Sequence, residues 1–289
     1  MIHPDVKRTV EARVGEISMI RSVGGGCISN ASRIDAAGHS FFLKWSTGEA
    51  GNTFEAESEG LQTLRSAGSN LLIPEVLAVQ NMGPQAVAGS ILMRWVDEGP
   101  KGSAFWHRLG VALASLHHQT GQSFGFGSDN YIGRIVQVNG YQDNWVDFFR
   151  DRRLDYQRGV ARNFGRWRTD WDAHFDRLMR LLPDILPDSP VASLVHGDLW
   201  AGNVLATVDA VPVLIDPAAH YAHREVDLAM SELFGGFDRL FYQAYNEAWP
   251  LEPEYATRRD VYNLYHLINH LNHFGQGYSS QVGAILQAY

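Results

Sequence analysis

A chain of 289 residues with 45% hydrophobic and 19% charged side chains is long enough for two folded lobes and excludes a disordered or fibrous protein. Its net charge of −8 disfavours nucleic acid and anionic membrane surfaces as partners, and no apolar run is long enough to cross a bilayer. The single cysteine and an N-terminus without an apolar stretch predict a protein of the reducing cytoplasm.

The first hundred residues predict an antiparallel sheet with one helix. Five strands are expected, the first three in meander order, at residues 17–23, 30–35, 40–45, 75–80 and 86–95. A helix over 52–68 is predicted between the third and fourth strands, because Leu61 and Leu64 recur at helical spacing after a capping residue and acidic side chains. The pattern breaks after Trp95, where we place the boundary between lobes 1–95 and 96–289.

A glycine cluster separates the first two predicted strands. It comprises Gly24, Gly25, Gly26, Cys27, Ile28 and Ser29. Because glycine has no Cβ, the backbone N–H groups of such a loop can approach phosphate oxygens closely. Glycine-rich turns between strands are also common without any ligand, so a plain turn is the alternative interpretation.

The second lobe is predicted to be mainly helical. Apolar residues recur at helical spacing over 105–117, and most of the later chain repeats this period. The exception is a short hairpin predicted over 204–215.

Polar residues on both sides of this hairpin form the strongest motif in the sequence. His196, Asp198 and Asn203 have H-x-D-x-x-x-x-N spacing, and Asp216 follows the hairpin. The pattern matches the catalytic and metal-binding loops of protein kinases. Asp198 would accept the proton of an acceptor hydroxyl, and Asn203 and Asp216 would provide oxygen ligands to Mg²⁺. A simple turn and a strand end are the alternatives for the separate pieces, but their order favours a kinase.

The kinase match implies a fold class and an ATP site. The fold expected is α+β and protein-kinase-like, with a small N-terminal lobe of antiparallel sheet plus helix and a larger, mainly helical C-terminal lobe. Lys44 ends the third strand, where kinases place the lysine that holds the α- and β-phosphates, and Glu57 is its expected ion-pair partner. Adenine is expected at the hinge, near Met93 and Trp95.

Over nearly its whole length the sequence resembles the fructosamine kinase, or ketosamine-3-kinase, family, which is related to the aminoglycoside phosphotransferases. The resemblance is carried by residues 24–29, 54–61, 129–133, 145–149, 196–203 and 224–230. It implies ATP-dependent phosphorylation of the sugar 3-hydroxyl of ketoamines (fructosamines and ribulosamines), free or protein-bound, and hence a role in deglycation. Another small-molecule kinase of this fold, of aminoglycoside, choline or homoserine type, and a catalytically silent nucleotide-binding module are the alternatives.

Further residues are assigned around this core motif. Asp129 and Asn130 are candidates for binding the acceptor, and Trp200 is a candidate either for the sugar wall or for anchoring its own loop. His196 and Asp227 are predicted to support the catalytic loop. The resemblance implies that Cys27 can be redox-sensitive, so we hypothesise a Cys27-linked homodimer as well as a monomer; an inert side chain at this position is the alternative.

Overall fold

The computed structural model describes residues 2–24, 29–83 and 86–289. It begins with helix α1 (Pro4–Val14), which the sequence analysis did not predict. Proline suits the first turn of a helix, where its missing N–H would have no partner. Val6 and Val10, four residues apart, are buried against the apolar side chains of the neighbouring sheet.

A five-stranded antiparallel sheet follows this helix. Its strands are β1 (Ile17–Ser22), β2 (Asn30–Ala36), β3 (His39–Ser46), β4 (Val76–Gln80) and β5 (Gly89–Arg94). The spatial order is β1-β2-β3-β5-β4, so the predicted meander of the first three strands is confirmed. One face of the sheet packs on α1, and the opposite face carries Lys44 into a cleft.

Helix α2 (Phe54–Ser66) crosses from the sheet to the rest of the chain. Its apolar residues Phe54, Leu61 and Leu64 are buried, as the helical spacing predicts. Gly60 lies where α2 meets the chain after Asp216, because a Cβ built there would come within 3.3 Å of Pro217. The helix is therefore packed against the segment that follows the predicted metal ligand.

The remaining chain is mainly helical, as predicted. Its α-helices are α3 (Ser103–His117), α4 (Trp145–Phe148), α5 (Tyr156–Asn163), α6 (Asp172–Ile185), α7 (Glu225–Leu233), α8 (Arg239–Ala248), α9 (Tyr255–Phe274) and α10 (Ser279–Gln287). A π-helix (Phe149–Asp155) joins α4 to α5. Helix α9 runs through the core, with twelve of its twenty residues buried. None of the helices in the described ranges is long and apolar enough to span a membrane.

Three short antiparallel strand pairs lie within this helical part. They are β6 (Asn130–Ile132) with β7 (Ile135–Gln137), β8 (Ala192–Val195) with β11 (His220–His223), and β9 (Val204–Ala206) with β10 (Pro212–Leu214). The β9–β10 pair confirms the predicted hairpin. The β8–β11 pair was not predicted, and it brings the chain after Val195 beside the chain before His220. The fold is thus α+β with a sheet unit and a larger helical unit, in which two loops meet.

Candidate active site

One cleft of about 520 Å³ lies between the sheet and the helical part. Lys44 reaches it from β3, and Asp198, Asn203 and Asp216 reach it from the loops around the β9–β10 hairpin. The fold therefore brings together four polar side chains that the sequence placed in two distant segments.

Lys44 is held by two carboxylates. Its Nζ donates hydrogen bonds to Glu57 Oε1, at 2.8 Å, and to Asp216 Oδ1. Burial by itself would lower the pKa of Lys44, but the two carboxylates outweigh burial and raise it. Burial raises the pKa of Glu57, and Lys44 partly opposes that change. The structure thus keeps a fixed positive charge beside Asp216 at neutral pH.

Asp198 lies on a tight loop whose shape depends on Gly197. The φ of Gly197 is +82°, and a Cβ at this position would lie 2.2 Å from the carbonyl oxygen of Ala218, so only glycine fits. Asn203 Nδ2 donates to the backbone oxygen and to Oδ2 of Asp198, at 2.9 and 3.0 Å. Burial raises the pKa of Asp198 to about 7, against the opposite effect of the Asn203 hydrogen bond. A carboxylate with this pKa is suited to accept a proton near neutral pH.

Asn203 and Asp216 fit a magnesium ion that also binds phosphate. The Asn203 amide must turn its NH₂ group toward the Asp198 carbonyl, which leaves Oδ1 on the other side as an oxygen donor. The Asp216 side chain is 39% exposed to the cleft. Mg²⁺ takes one or two carboxylate or amide oxygens and completes its shell with phosphate and water. Within the described ranges no group of three His, Cys, Asp or Glu side chains could hold a metal by itself.

Asp227, on α7, holds the loop that carries His196 and Asp198 from the side away from the cleft. Its carboxylate accepts hydrogen bonds from the backbone N–H groups of His196 and Gly197, at 2.7 and 2.8 Å. His117 Nε2 lies 3.2 Å from the same carboxylate and must donate to it, because a carboxylate only accepts. Burial by itself would raise the pKa of Asp227, but these donors outweigh it and lower the pKa.

His196 links the two loops of the site. Its Nε2 donates to the backbone oxygen of Ile215 at 2.9 Å, and its Nδ1 accepts from the backbone N–H of Asp198 at 3.3 Å. Both contacts require a neutral ring with its proton on Nε2. Burial lowers the pKa of His196, which keeps that form at neutral pH. One imidazole ring thus connects the backbone of Asp198 with the backbone just before Asp216.

Trp200 is both anchored and exposed to the cleft. Its ring covers Gly202, where any Cβ would lie 2.3 Å from the ring, and contacts the edge of Phe234. The side chain is 37% exposed and lines the cleft. The two roles that the sequence left open are therefore compatible.

The other two acceptor candidates, Asp129 and Asn130, make hydrogen bonds within the protein. Asp129 does not line the cleft that the described residues form; its Oδ1 accepts from the backbone N–H of Asn139 at 2.8 Å. Asn130 borders the cleft, but its amide bonds to Ala219, Gln137 and Asn139.

Three further aromatic side chains, Tyr131, His270 and Phe274, line the same cleft as Trp200. Tyr131 belongs to the 129–133 segment that the sequence analysis singled out, whereas His270 and Phe274 were not predicted. His270 and Phe274 lie one helical turn apart on α9, so the spacing could have placed them on one face of that helix. What the sequence could not show is that this face borders the cleft.

The hinge and part of the glycine loop also line the cleft. Met93 ends the buried part of β5, and Trp95 packs on Phe42, with ring centroids 6.3 Å apart. Gly24 and Ser29 line the cleft, whereas Gly25, Gly26, Cys27 and Ile28 lie outside the described residues.

The sequence matches known proteins along almost its whole length. A model of the family described as fructosamine kinase matches residues 4–289. A probable ketoamine kinase of Synechocystis is 38% identical, over 92% of this chain and 88% of the relative. A chloroplastic protein-ribulosamine 3-kinase of Arabidopsis thaliana is 35% identical, over 96% of this chain and 85% of the relative.

Solved structures agree with this match. The structure of a "putative fructosamine-3-kinase" from Thermobifida fusca has a TM-score of 0.87 and 30% identity, covering 98% of this chain and 97% of that one. An aminoglycoside phosphotransferase, APH(4)-Ia, shares the fold at a TM-score of 0.70 and 17% identity, covering 98% of both chains. The fold is therefore protein-kinase-like, and the chain belongs to the fructosamine kinase family.

Proposed function

We propose that the protein is an ATP- and Mg²⁺-dependent kinase that phosphorylates the sugar 3-hydroxyl of ketoamines. The observation that carries the proposal is the convergence of Lys44, Asp198, Asn203 and Asp216 on one cleft. The names of the relatives, ketoamine kinase and protein-ribulosamine 3-kinase, support the acceptor class.

The cleft offers separate places for the two ends of ATP. Lys44 would hold the phosphates, and the adenine would lie between Met93 and Trp95. The backbone N–H of Val96, at the same edge, has no hydrogen-bond partner within residues 2–24, 29–83 and 86–289, so it is free to donate to a base. Bound Mg²⁺ would neutralise phosphate charge, held by Asn203 Oδ1 and the Asp216 carboxylate.

Asp198 is the proposed base. Asn203 occupies its Oδ2, which leaves Oδ1 to accept a hydrogen bond, and then the proton, from the acceptor hydroxyl. The main contribution of the protein to phosphoryl transfer is alignment of the reactants in a site shielded from water. Trp200 would provide part of that shield on the acceptor side.

The acceptor end of the cleft opens to solvent beside Trp200 and Phe274, and Phe274 is 53% exposed. A ketoamine could therefore place its sugar near Asp198 while its amine extends outward. This supports both free and protein-bound ketoamines as substrates, and with them a deglycation role. The single cysteine supports a cytoplasmic setting, and a Cys27-linked dimer stays a hypothesis because Cys27 lies outside the described residues.

An acceptor panel tests this function. Purified protein is incubated with MgATP and, separately, a ribulosamine, a fructosamine, choline and hygromycin B, and the phosphorylated acceptor is quantified by mass spectrometry. We expect phosphate on the two ketoamines, with kcat/KM at least a hundredfold above that for the other two compounds. Phosphorylation of hygromycin B or choline instead, or ATP consumption without any phosphorylated acceptor, would contradict the proposal.

A further inference from the structure

Asp216 has a backbone conformation that its neighbours must enforce. Its φ is +55°, in the left-handed region that residues other than glycine adopt rarely. On one side of it, the Ile215 N–H donates to the Asn203 carbonyl at 3.1 Å, and on the other the Ala218 N–H donates to the His196 carbonyl at 2.9 Å. The direction of the carboxylate therefore depends on how the adjoining chain is held.

Two buried side-chain amides hold the chain just after Asp216. Gln137 Nε2 donates to the Ala218 carbonyl at 3.0 Å, and Asn130 Nδ2 donates to the Ala219 carbonyl at 2.9 Å. Both amides are buried, and losing the Asn130 donor would remove the side-chain hydrogen bond to the Ala219 carbonyl. The Ala218 carbonyl also accepts from His220 Nδ1 at 2.9 Å, so losing the Gln137 donor would leave it with one of its two side-chain hydrogen bonds. These contacts join β6 and β7 to the metal-ligand loop across some eighty residues of sequence.

Other residues fix how the two amides are turned. The Ala218 carbonyl can only accept, so Gln137 Nε2 must face it, and Tyr265 donates its hydroxyl proton to the opposite atom, Gln137 Oε1, at 2.8 Å. Asn130 Oδ1 accepts from Gln137 and from Asn139, at 2.8 and 2.7 Å. Arg153 in turn donates to Asn139 Oδ1 at 2.7 Å. The amide oxygens of Gln137, Asn130 and Asn139 each accept at least one hydrogen bond within the protein, and such a connected network restricts how the amides can turn.

We propose that Gln137 and Asn130 are positioning residues for Asp216, which act through the Ala218 and Ala219 carbonyls and contact neither nucleotide nor acceptor. Gln137 is 1% exposed and does not line the cleft, so its side chain cannot contact a substrate directly. Asn130 borders the cleft, but the oxygen and nitrogen of its amide are bonded within the protein. This replaces acceptor binding as the role of Asn130, and it rests on the proposed function, in which Asp216 binds the metal.

Gln137→Met tests the proposal, because methionine keeps the size of glutamine and removes the donor. Binding of Mn²⁺, used as the metal probe, is measured by electron paramagnetic resonance in the presence of ADP, and ADP binding without metal is measured by calorimetry. We expect Mn²⁺ affinity with ADP to fall about tenfold, as is typical when a group that orients a metal ligand is lost. We also expect lower kcat, with unchanged metal-free ADP affinity and unchanged KM for the acceptor. Gln243→Met, at an exposed position, is the matched control, and Asp216→Ala shows the full loss of metal binding.

The outcomes separate the possible roles. Equal Mn²⁺ affinity in wild type and Gln137→Met, with or without a lower melting temperature, would overturn the positioning role, and so would a rise in acceptor KM alone. A wild-type protein that binds no Mn²⁺ with ADP would overturn the metal site of the proposed function and this inference with it. If Gln137→Met does not fold, Tyr265→Phe removes only the hydroxyl that orients Gln137. An affinity loss of about threefold is then expected, against none in Tyr141→Phe, and no loss would contradict the proposal.

Discussion

The front and the back of the catalytic loop are built in opposite ways. At the front, Lys44, Asp198 and Asp216 face the cleft. The Lys44 ammonium there bonds to two carboxylates, those of Glu57 and Asp216. At the back, the Asp227 carboxylate is buried and its oxygens are satisfied by His117 and by two backbone N–H groups. The back is complete without a ligand, whereas the front has charges that a metal and a triphosphate would balance.

Asp198 at the front and Asp227 at the back should therefore respond differently to substitution. A substitution at the front should change the reaction and leave stability largely intact. A substitution at the back should first change the free energy of unfolding.

The largest effect is expected at Asp198. Asp198→Asn keeps the size of the side chain but removes the proton acceptor, so kcat should fall by about 10² to 10⁴. Affinity for ATP, measured by calorimetry, should stay within about twofold, because Asp198 is assigned to the acceptor hydroxyl. Asp209→Asn, in an exposed turn, is the matched control. Near wild-type turnover in Asp198→Asn would remove Asp198 from its assigned role.

The next largest effect is expected at Asp227. Asp227→Asn places an NH₂ group or a weaker acceptor opposite backbone N–H donors in a buried site, so the free energy of unfolding should fall by about 3 kcal/mol. Chemical denaturation of this variant beside Asp198→Asn gives the comparison directly. Equal free energies of unfolding for Asp227→Asn and Asp198→Asn would contradict a structural role for Asp227 that Asp198 does not share.

The smallest effect concerns two buried histidines, His220 and His266. Burial lowers the pKa of His220 and of His266 to about 3, below the usual value near 6.5. Both rings stay neutral in the folded state, while the unfolded chain binds protons below about pH 6.5. The contribution of each neutral ring to the free energy of unfolding is therefore fully present above about pH 6.5. It is lost as the pH falls from there toward 3, by about 1.4 kcal/mol per pH unit for each histidine.

Denaturation between pH 7 and pH 5 measures this loss. His266→Gln should show a shallower decline than wild type, since one titrating ring has been removed. His107→Gln, at an exposed position, should decline like wild type. Identical slopes in wild type and His266→Gln would contradict a neutral buried ring.

The sequence predicted the parts of the site that depend on order along the chain. The meander of β1, β2 and β3, the β9–β10 hairpin and the segments that meet in the cleft follow from local periodicity and motif spacing. Helix α1 was missed, although Pro4, Val6 and Val10 carry a helix signal. That signal is short, and it directly precedes a segment whose residues indicate strands.

What could not be predicted is which polar side chains are used inside the protein. Asn130 and Asp129 form a polar pair in a loop, which is also how a ligand-binding segment looks in sequence. Only the fold shows that Asn130 bonds to Ala219, 89 residues away, and that Asp129 bonds to the Asn139 backbone. Hydrogen bonds between distant segments leave no periodic pattern, so the supporting network around Asp216 was invisible before the structure.

The most direct test is a crystal structure with Mg²⁺ and a non-hydrolysable ATP analogue. The account predicts that Lys44 Nζ leaves Asp216 for the α- and β-phosphate oxygens, while the metal binds Asn203 Oδ1 and the Asp216 carboxylate. The account would be contradicted by a nucleotide bound outside the cleft, or by a metal held without these two side chains.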